Sequence, residues 1–137
     1  MKKLKLLLIL LCISILIQAQ NNDVAGSKDH DLLMRMPDYN IRNYWDYEFD
    51  GHEFQISIDQ REKIEGRKII IRYEHQKAND RDFKKPSYMQ ILRNYSNAIT
   101  KAGGKILFEH RNSDYSFYYL KTAGGKEAWA EVKTAPD

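Results

Sequence analysis

Hydrophobic and polar residues alternate with a period of two over much of the chain, which is the pattern of half-buried β-strands. The segment 44–50 (YWDYEFD) alternates rings with carboxylates and predicts a strand with one aromatic and one acidic face. Asp50-Gly51 is a hairpin-turn signal, so the alternating segment 54–58 is predicted to return beside it. The β-branched run 69–71 predicts a third, central strand with cover on both faces.

The signals of one amphipathic helix follow. Ser87 with Gln90 forms a capping-box pattern, and Gly103-Gly104 supplies a C-terminal stop. Between them apolar residues recur at helical spacing: Tyr88, Ile91, Leu92, Tyr95, Ala98, Ile99 and Ala102. The pattern predicts a helix over about 87–103 that docks on a sheet through this stripe.

Three further strands are predicted after the helix, at 105–109, 115–121 and 126–133, with the turn Ala123-Gly124-Gly125 joining the last two. This order predicts an α+β domain, with a mostly antiparallel sheet of about six strands packed against one main helix. The sequence then ends on Pro136-Asp137, a turn signal, so we expect a hairpin whose second arm is missing. The last strand would present an unpaired edge, which makes a dimer through that edge an expectation.

The first 19 residues predict a secretory signal peptide, because three lysines precede an apolar run and Ala19 fits a cleavage site. The run is shorter than the roughly 20 residues of a membrane span. Cys12 lies within this leader after Leu11, where lipid attachment needs a small residue, so lipidation is not expected. We expect residues 20–137 to form one exported domain without cysteine, in the periplasm or at the outer membrane.

Removal of the leader also changes the charge. Without Lys2, Lys3 and Lys5 the 22 basic residues become 19, which equals the number of acidic residues. A near-neutral domain lacks the basic surplus of nucleic-acid-binding proteins, so no nucleic-acid partner is expected.

Two groups of polar residues suggest chemistry, and each has a simpler interpretation. His30 between Asp29 and Asp31 could bind a metal or act as a general base with an orienting carboxylate. It also fits a short capped turn with Ser27 as N-cap and with Leu32 and Leu33 held on the core. The carboxylates of the segment 44–50 suit a calcium ion, but they also suit a solvated face paired with Arg or Lys. We favour the simpler interpretation in both cases and predict no metal and no cofactor.

Aromatic residues on the last two strands form the candidate ligand or partner surface. Its members are Tyr115, Phe117, Tyr118, Tyr119 and Trp129. Rings of this kind stack on sugars or peptides when they are exposed and form the core of a sheet when they are not. Alternation allows only one of the two faces to be exposed. No phosphate-binding loop, nucleophile elbow or zinc-binding helix motif is present in the sequence, and we expect no enzymatic activity.

Three blocks of sequence resemble the N-terminal region of bacterial OmpA-family envelope proteins of the GSKDHP type. They are DVAGSKDHDLLMRMPDY, IEGRKIIIRYEHQK and ILRNYSNAITKAGGKILFE, within residues 23–133. The most specific parts are Gly26 to His30 and Arg93-Asn94-Tyr95 with Ala98 and Gly103. Asp31 stands where the family has proline. The resemblance implies an exported α+β domain that precedes a peptidoglycan-binding OmpA-like domain. That second domain has no counterpart here, so a truncated chain and a stand-alone front domain both stay open.

The sequence therefore predicts a non-enzymatic envelope domain that serves as an interaction or spacer module. Its partner would be an envelope protein or a cell-wall component, and its contact with membrane would come only through export or outer-membrane association. The alternatives are a small periplasmic protein that binds sugars or muropeptides, and a secreted hydrolase that uses His30 as its base.

Overall fold

The structure, a computed structural model, describes residues 22–109, 115–121, 125 and 127–134. The predicted leader lies outside these residues. The elements in chain order are β1 (Tyr39–Gln55), β2 (Arg61–His75), α1 (Tyr88–Lys101), β3 (Lys105–Glu109), β4 (Tyr115–Lys121) and β5 (Glu127–Lys133). Within the described residues no helix has the length and apolar composition needed to cross a membrane.

The predicted sheet of about six strands against one helix is wrong. The described strands form two separate antiparallel sheets, a ribbon of β1 and β2 and a three-stranded sheet in the order β3-β4-β5. Asp50-Gly51 does not turn the chain, because β1 continues through it with a register shift between Tyr47 and Asp50. The turn lies at 56–60, where the Ile56 amide donates to the Gln60 carbonyl at 3.0 Å.

Two long strands thus replace the three that were predicted before the helix. The rings of the segment 44–50 are also more exposed than a half-buried face requires. Trp45 and Tyr47 each keep 42% of their surface in solvent, and Phe49 keeps 72%. A two-stranded ribbon has no second layer along most of its length, so alternation in the sequence does not produce burial here.

Both predicted ends of the helix are confirmed. The Gln90 amide donates to Ser87 Oγ at 3.2 Å, and the Ser87 amide donates to Gln90 Oε1 at 2.8 Å. At the other end Gly103 has a positive φ of 85°, and the Gly104 amide donates to the Ile99 carbonyl at 2.9 Å. These contacts satisfy groups that the first and last turns leave without helical partners.

The hydrophobic core lies between α1 and the three-stranded sheet. Tyr95 and Ile99 of the helix pack on Tyr118 of β4, which is completely buried. Partly buried apolar residues surround this cluster: Leu32, Leu33, Met36, Ile91, Ala130 and Val132. The segment before β1, which holds His30, therefore contributes Leu32, Leu33 and Met36 to the core.

Arg35 fastens the N-terminal segment to the ribbon. Its guanidinium donates from both Nη atoms to Asp23, at 2.6 and 2.7 Å, and from Nε to Asp29 at 2.8 Å. Asp23 also accepts the Ile41 amide at 2.7 Å, and Asp29 accepts the Tyr73 hydroxyl at 2.9 Å. We call Arg35, Asp23, Asp29 and Tyr73 the arginine cluster. It joins the chain before β1 to both strands of the ribbon.

Burial makes the arginine cluster energetically significant. The Arg35 and Asp23 side chains keep only 20% and 9% of their surface in solvent. Hydrogen bonds from Arg35 to Asp23 raise the pKa of the guanidinium further, so its charge is permanent. Burial, followed by the hydrogen bond to Asp29, raises the pKa of the Tyr73 hydroxyl. Burial also raises the pKa of Tyr95 to about 12.

Arg35→Met should destabilise the domain by about 3 kcal/mol, because the buried Asp23 and the partly buried Asp29 both lose the guanidinium that pairs with them. Arg42→Met is the matched control, since Arg42 pairs with Glu74 on the exposed surface at 2.9 Å. Its cost should stay below about 1 kcal/mol. Urea unfolding at neutral pH measures both values, and equal costs would contradict a special role for the cluster.

Tyr73→Phe should cost about 1.5 kcal/mol near pH 8, because the hydroxyl donates to a carboxylate. Because the pKa of Tyr73 is raised in the folded state, its contribution to the free energy of unfolding is complete below the unfolded tyrosine pKa of about 10. The contribution is lost progressively at higher pH. The difference between Tyr73→Phe and the parent should therefore shrink from about pH 10 upward. Urea midpoints between pH 8 and pH 11.5 test this, and a constant difference would count against it.

Candidate functional site

A large open cleft separates the ribbon from the three-stranded sheet. Its volume is about 1630 Å³. One wall is the continuous run 64–75 of β2. The other wall is the continuous run 127–134, which consists of β5 and Thr134. We call it the edge cleft.

Residues from both faces of β2 and of β5 line the cleft, since successive side chains of a strand point to opposite faces. Among the described strands β2 pairs only with β1, and β5 pairs only with β4. One edge of each strand therefore has no partner strand within the described residues.

The helix side of the edge cleft is apolar. Ile91 and Tyr95 of α1 line it together with Leu32, Leu33 and Met36 of the N-terminal segment. Ile91 and these three residues also pack against the core cluster to which Tyr95 belongs. The helix and the N-terminal segment are thus fixed by core packing, and the apolar surface between the two walls is preformed.

The opposite side carries the contacts that join the ribbon to the sheet. His52 Nε2 lies 2.8 Å from Glu131 Oε2, and the Phe54 ring lies 5.5 Å from the ring of Trp129. Trp129 also meets Tyr119 edge to face at 5.2 Å. Phe54 keeps only 7% of its surface in solvent, so this contact is the hydrophobic link between the two sheets.

The structure separates the predicted ring surface. Tyr118 lies in the core, where its hydroxyl is 3.0 Å from Ser96 Oγ, and it presents no surface to solvent. Tyr119 and Trp129 lie together on the other face, and Trp129 lines the edge cleft. Tyr115 and Phe117 belong to β4, but their side chains lie outside the described part of the structure.

His30 has no orienting carboxylate in the described structure. Its Nδ1 accepts the Leu32 amide at 3.2 Å, so this nitrogen serves a turn. Asp29 accepts hydrogen bonds from Arg35 and Tyr73, and Asp31 is exposed. Ser27 is not the cap of this turn, because its hydroxyl donates to the Val24 carbonyl at 2.6 Å. His30 itself accepts the turn amide, and the arrangement lacks the aligned dyad that a general base needs.

The acidic residues of β1 pair across the ribbon with basic residues of β2. Asp46 accepts from Arg67 at 2.6 Å, and Asp50 accepts from Lys68 at 2.8 Å. Hydrogen bonds from Arg67 and from Lys68 lower the pKa of Asp46 and of Asp50, respectively. In the described ranges no group of three or more His, Cys, Asp or Glu residues is placed to hold a metal ion.

Sequence reasoning missed three features of the site: the arginine cluster, the contact of Phe54 with Trp129, and the edge of β2. Arg35 and Asp23 are 12 residues apart, and no helix or strand periodicity in the sequence links the two positions. Glycine inside a strand often marks close approach of another backbone, but Gly66 does not, since a Cβ built there meets no atom within 4 Å. Gly66 lines the edge cleft.

Comparisons with protein-family models, with curated proteins and with solved structures found no match for this chain. The similarity to the N-terminal region of OmpA-family proteins therefore stays a prediction from sequence motifs.

Phe54→Ala should expose Trp129 and loosen the ribbon from the sheet, at a cost of about 3 kcal/mol. The measurement uses a Trp45→Phe background, in which Trp129 is the only tryptophan left of two. We expect a red shift of its fluorescence and a lower urea midpoint. Phe49→Ala removes a ring that is 72% exposed, so it should change neither the fluorescence of Trp129 nor the urea midpoint. An unshifted spectrum in Phe54→Ala would show that the link is absent.

Proposed function

We propose that this domain is a non-enzymatic binding module of the bacterial cell envelope and that its partner occupies the edge cleft. The observation that carries the proposal is the preformed apolar surface between two strand edges that pair with no described strand. Backbone edges and exposed apolar surface are the two features through which proteins recognise other polymers.

The size of the edge cleft favours a polymer over a small molecule. Sites for small ligands have volumes of about 300–1,000 Å³ and enclose most of the ligand. This cleft has about 1630 Å³ and is open to solvent. A segment of a protein or of the cell wall fits such a volume better than a metabolite does.

The location in the envelope rests on the sequence. The leader pattern in residues 1–19 favours export, and the resemblance to OmpA-family proteins favours the periplasm or the outer membrane. A domain without cysteine after its leader has no disulfide to stabilise it and needs a packed core. The cluster of Tyr95, Ile99 and Tyr118 is such a core.

The polar residues around the edge cleft favour binding over catalysis. His52 is engaged by Glu131, and Lys68 is engaged by Asp50. His30 accepts a hydrogen bond from the Leu32 amide, and within the described residues it forms no hydrogen bond with a carboxylate. A hydrolase would need a nucleophile or activated water next to a positioned base, and these contacts provide neither.

A muropeptide is a second candidate partner, because the ring of Trp129 lines the edge cleft and stacks readily on a sugar. A muropeptide would bind in the same cleft, and the domain would still be a binding module. The contact would be made by the Trp129 ring and not by a strand edge.

Photocrosslinking in cells tests the proposed function. A photoreactive phenylalanine at Ala128, in the edge cleft, should give one crosslinked product in the envelope fraction. The same residue at Ile58, which is 85% exposed in the β1–β2 turn, should give none. Retention of the protein in the cytosol, or equal crosslinking from both positions, would contradict the proposal.

A further inference from the structure

Two exposed rings and one isoleucine share one face of the ribbon. Trp45 pairs across the ribbon with Ile70, and Tyr47 pairs with Lys68. Residues that pair across an antiparallel ladder lie on the same face, and so do residues two positions apart along one strand. Trp45, Tyr47 and Ile70 therefore form one row. Trp45 and Tyr47 each keep 42% of their surface in solvent, and Ile70 keeps 40%.

An arginine extends this row at one end. Arg72 is exposed and pairs across the ribbon with Asn43, two positions before Trp45 on the same face. Diagonal neighbours on a ladder lie about 7–8 Å apart, so Arg72 is the next neighbour of the Trp45 ring. At the other end of the row Lys68 is engaged, because its Nζ donates to Asp50 at 2.8 Å. Arg72 makes no ion pair with any residue that the structure describes, so its charge is available to a ligand.

The polar groups of this surface are free together with its rings. We call Trp45, Tyr47, Ile70 and Arg72 the ribbon face. Among the described residues the Trp45 indole N–H, the Tyr47 hydroxyl and the Arg72 guanidinium form no hydrogen bond. Ile70 and Arg72 also lie on the wall of the edge cleft, whereas Trp45 and Tyr47 do not line it. The ribbon face therefore begins at the cleft and continues beyond it on β1.

We propose that the ribbon face binds an acidic glycan, a chain of sugars that carry carboxylates. Trp45 and Tyr47 would stack on two sugar rings, and Arg72 would pair with a sugar carboxylate. The two aromatic residues lie about 7 Å apart along β1, which is comparable to the spacing of successive sugars in a chain. The inference goes beyond the proposed function, since it assigns a ligand to a face centred on β1 and requires no occupant of the edge cleft.

The apolar area of the ribbon face is too small for a second folded copy. A large aromatic side chain has about 150–250 Å² to bury, so the exposed parts of Trp45, Tyr47 and Ile70 offer roughly 250 Å² together. A stable protein interface takes about 800 Å² from each partner. A ligand with a small footprint therefore fits the ribbon face better than a dimer does.

The flat shape of the ribbon face favours a sugar over a peptide. A ligand on an open sheet face is covered on one side only. The C–H groups on one side of a sugar can pack on an aromatic ring while its hydroxyls stay at the rim, within reach of the Trp45 N–H, the Tyr47 hydroxyl and water. A peptide in the same place would turn backbone N–H and C=O groups toward the rings without partners.

Charge selects the acidic class of sugar. A guanidinium is always charged, and its forked donors match a carboxylate. Arg72 is a single cation, so it balances one carboxylate fully, whereas a phosphate monoester carries a charge of about −1.5 to −2 at neutral pH. A uronic acid is therefore the sugar that the ribbon face complements.

NMR of the two tryptophan indole N–H groups tests the inference with the whole exported chain, and Trp45→Phe assigns the two signals. The probe is tetragalacturonate, in which every sugar carries a carboxylate. Its methyl ester is the control, because it keeps the sugar rings and removes the charge. The acid should shift the Trp45 signal saturably and leave the signal of Trp129, which packs on Phe54, in place. The ester should bind at least about tenfold more weakly.

Substitutions separate the charge from the rings. Arg72→Gln should weaken binding of the acid at least about tenfold and bring it to the level of the ester, because the paired cation is lost. Tyr47→Ala should weaken binding of both the acid and the ester, because it removes one ring. Arg81→Gln removes an exposed arginine from the loop between β2 and α1. It is the matched control and should bind the acid as the parent does.

An unchanged Trp45 signal at millimolar tetragalacturonate would overturn the inference. Equal binding of acid and ester, or equal losses in Arg72→Gln and Arg81→Gln, would also overturn it. A glutamate tetrapeptide that binds as tightly as the acid would assign the ribbon face to acidic peptides instead. A Trp45 signal that moves with protein concentration alone would assign the face to contacts between copies. The crosslinking at Ala128 tests the proposed function separately, and none of these results changes its outcome.

Discussion

The shared ion pair of Arg35 with Asp23 and Asp29 is the constraint on which the arrangement of the domain depends. Within the described residues the ribbon has no extensive packing against α1 or the three-stranded sheet, and its contacts with the rest of the domain lie near its two ends. At one end the arginine cluster ties Tyr73 and the start of β1 to the N-terminal segment. At the other end Phe54 packs on Trp129. At the first contact the charge-assisted hydrogen bonds fix the orientation of the ribbon. At the second contact burial of apolar surface stabilises the association of the two sheets.

This division explains why the edge cleft exists. Core packing holds the helix against β3, β4 and β5, while the ribbon is held at a distance by its terminal contacts. The cleft is the space that remains between them. Its walls lie along β2 and β5, each of which pairs with one other described strand. The proposed partner would occupy this space.

The sequence predicted local features well and their assembly poorly. Ser87, Gln90 and Gly103 define the ends of the helix through contacts within a few residues, and those ends are correct. Asp50-Gly51 has an equally local turn signal, but a longer ladder with β2 overrides it, and Lys68 bonds both residues across the ribbon. Neither the arginine cluster nor the edge cleft could be predicted, because both depend on contacts between residues far apart in sequence.

The position of Asp23 has a geometric consequence for any attachment of the domain through its N-terminal side. Asp23 and Val24 bond the backbone of Ile41, so the start of the described chain is fixed at the first residues of β1. Phe54 lies 13 residues further along the same strand, a distance of about 40 Å in extended backbone. Any attachment that precedes Asp23 would hold one end of the ribbon close to its anchor. The distal rim, with His52 and Trp129, would then project outward by the full length of the ribbon.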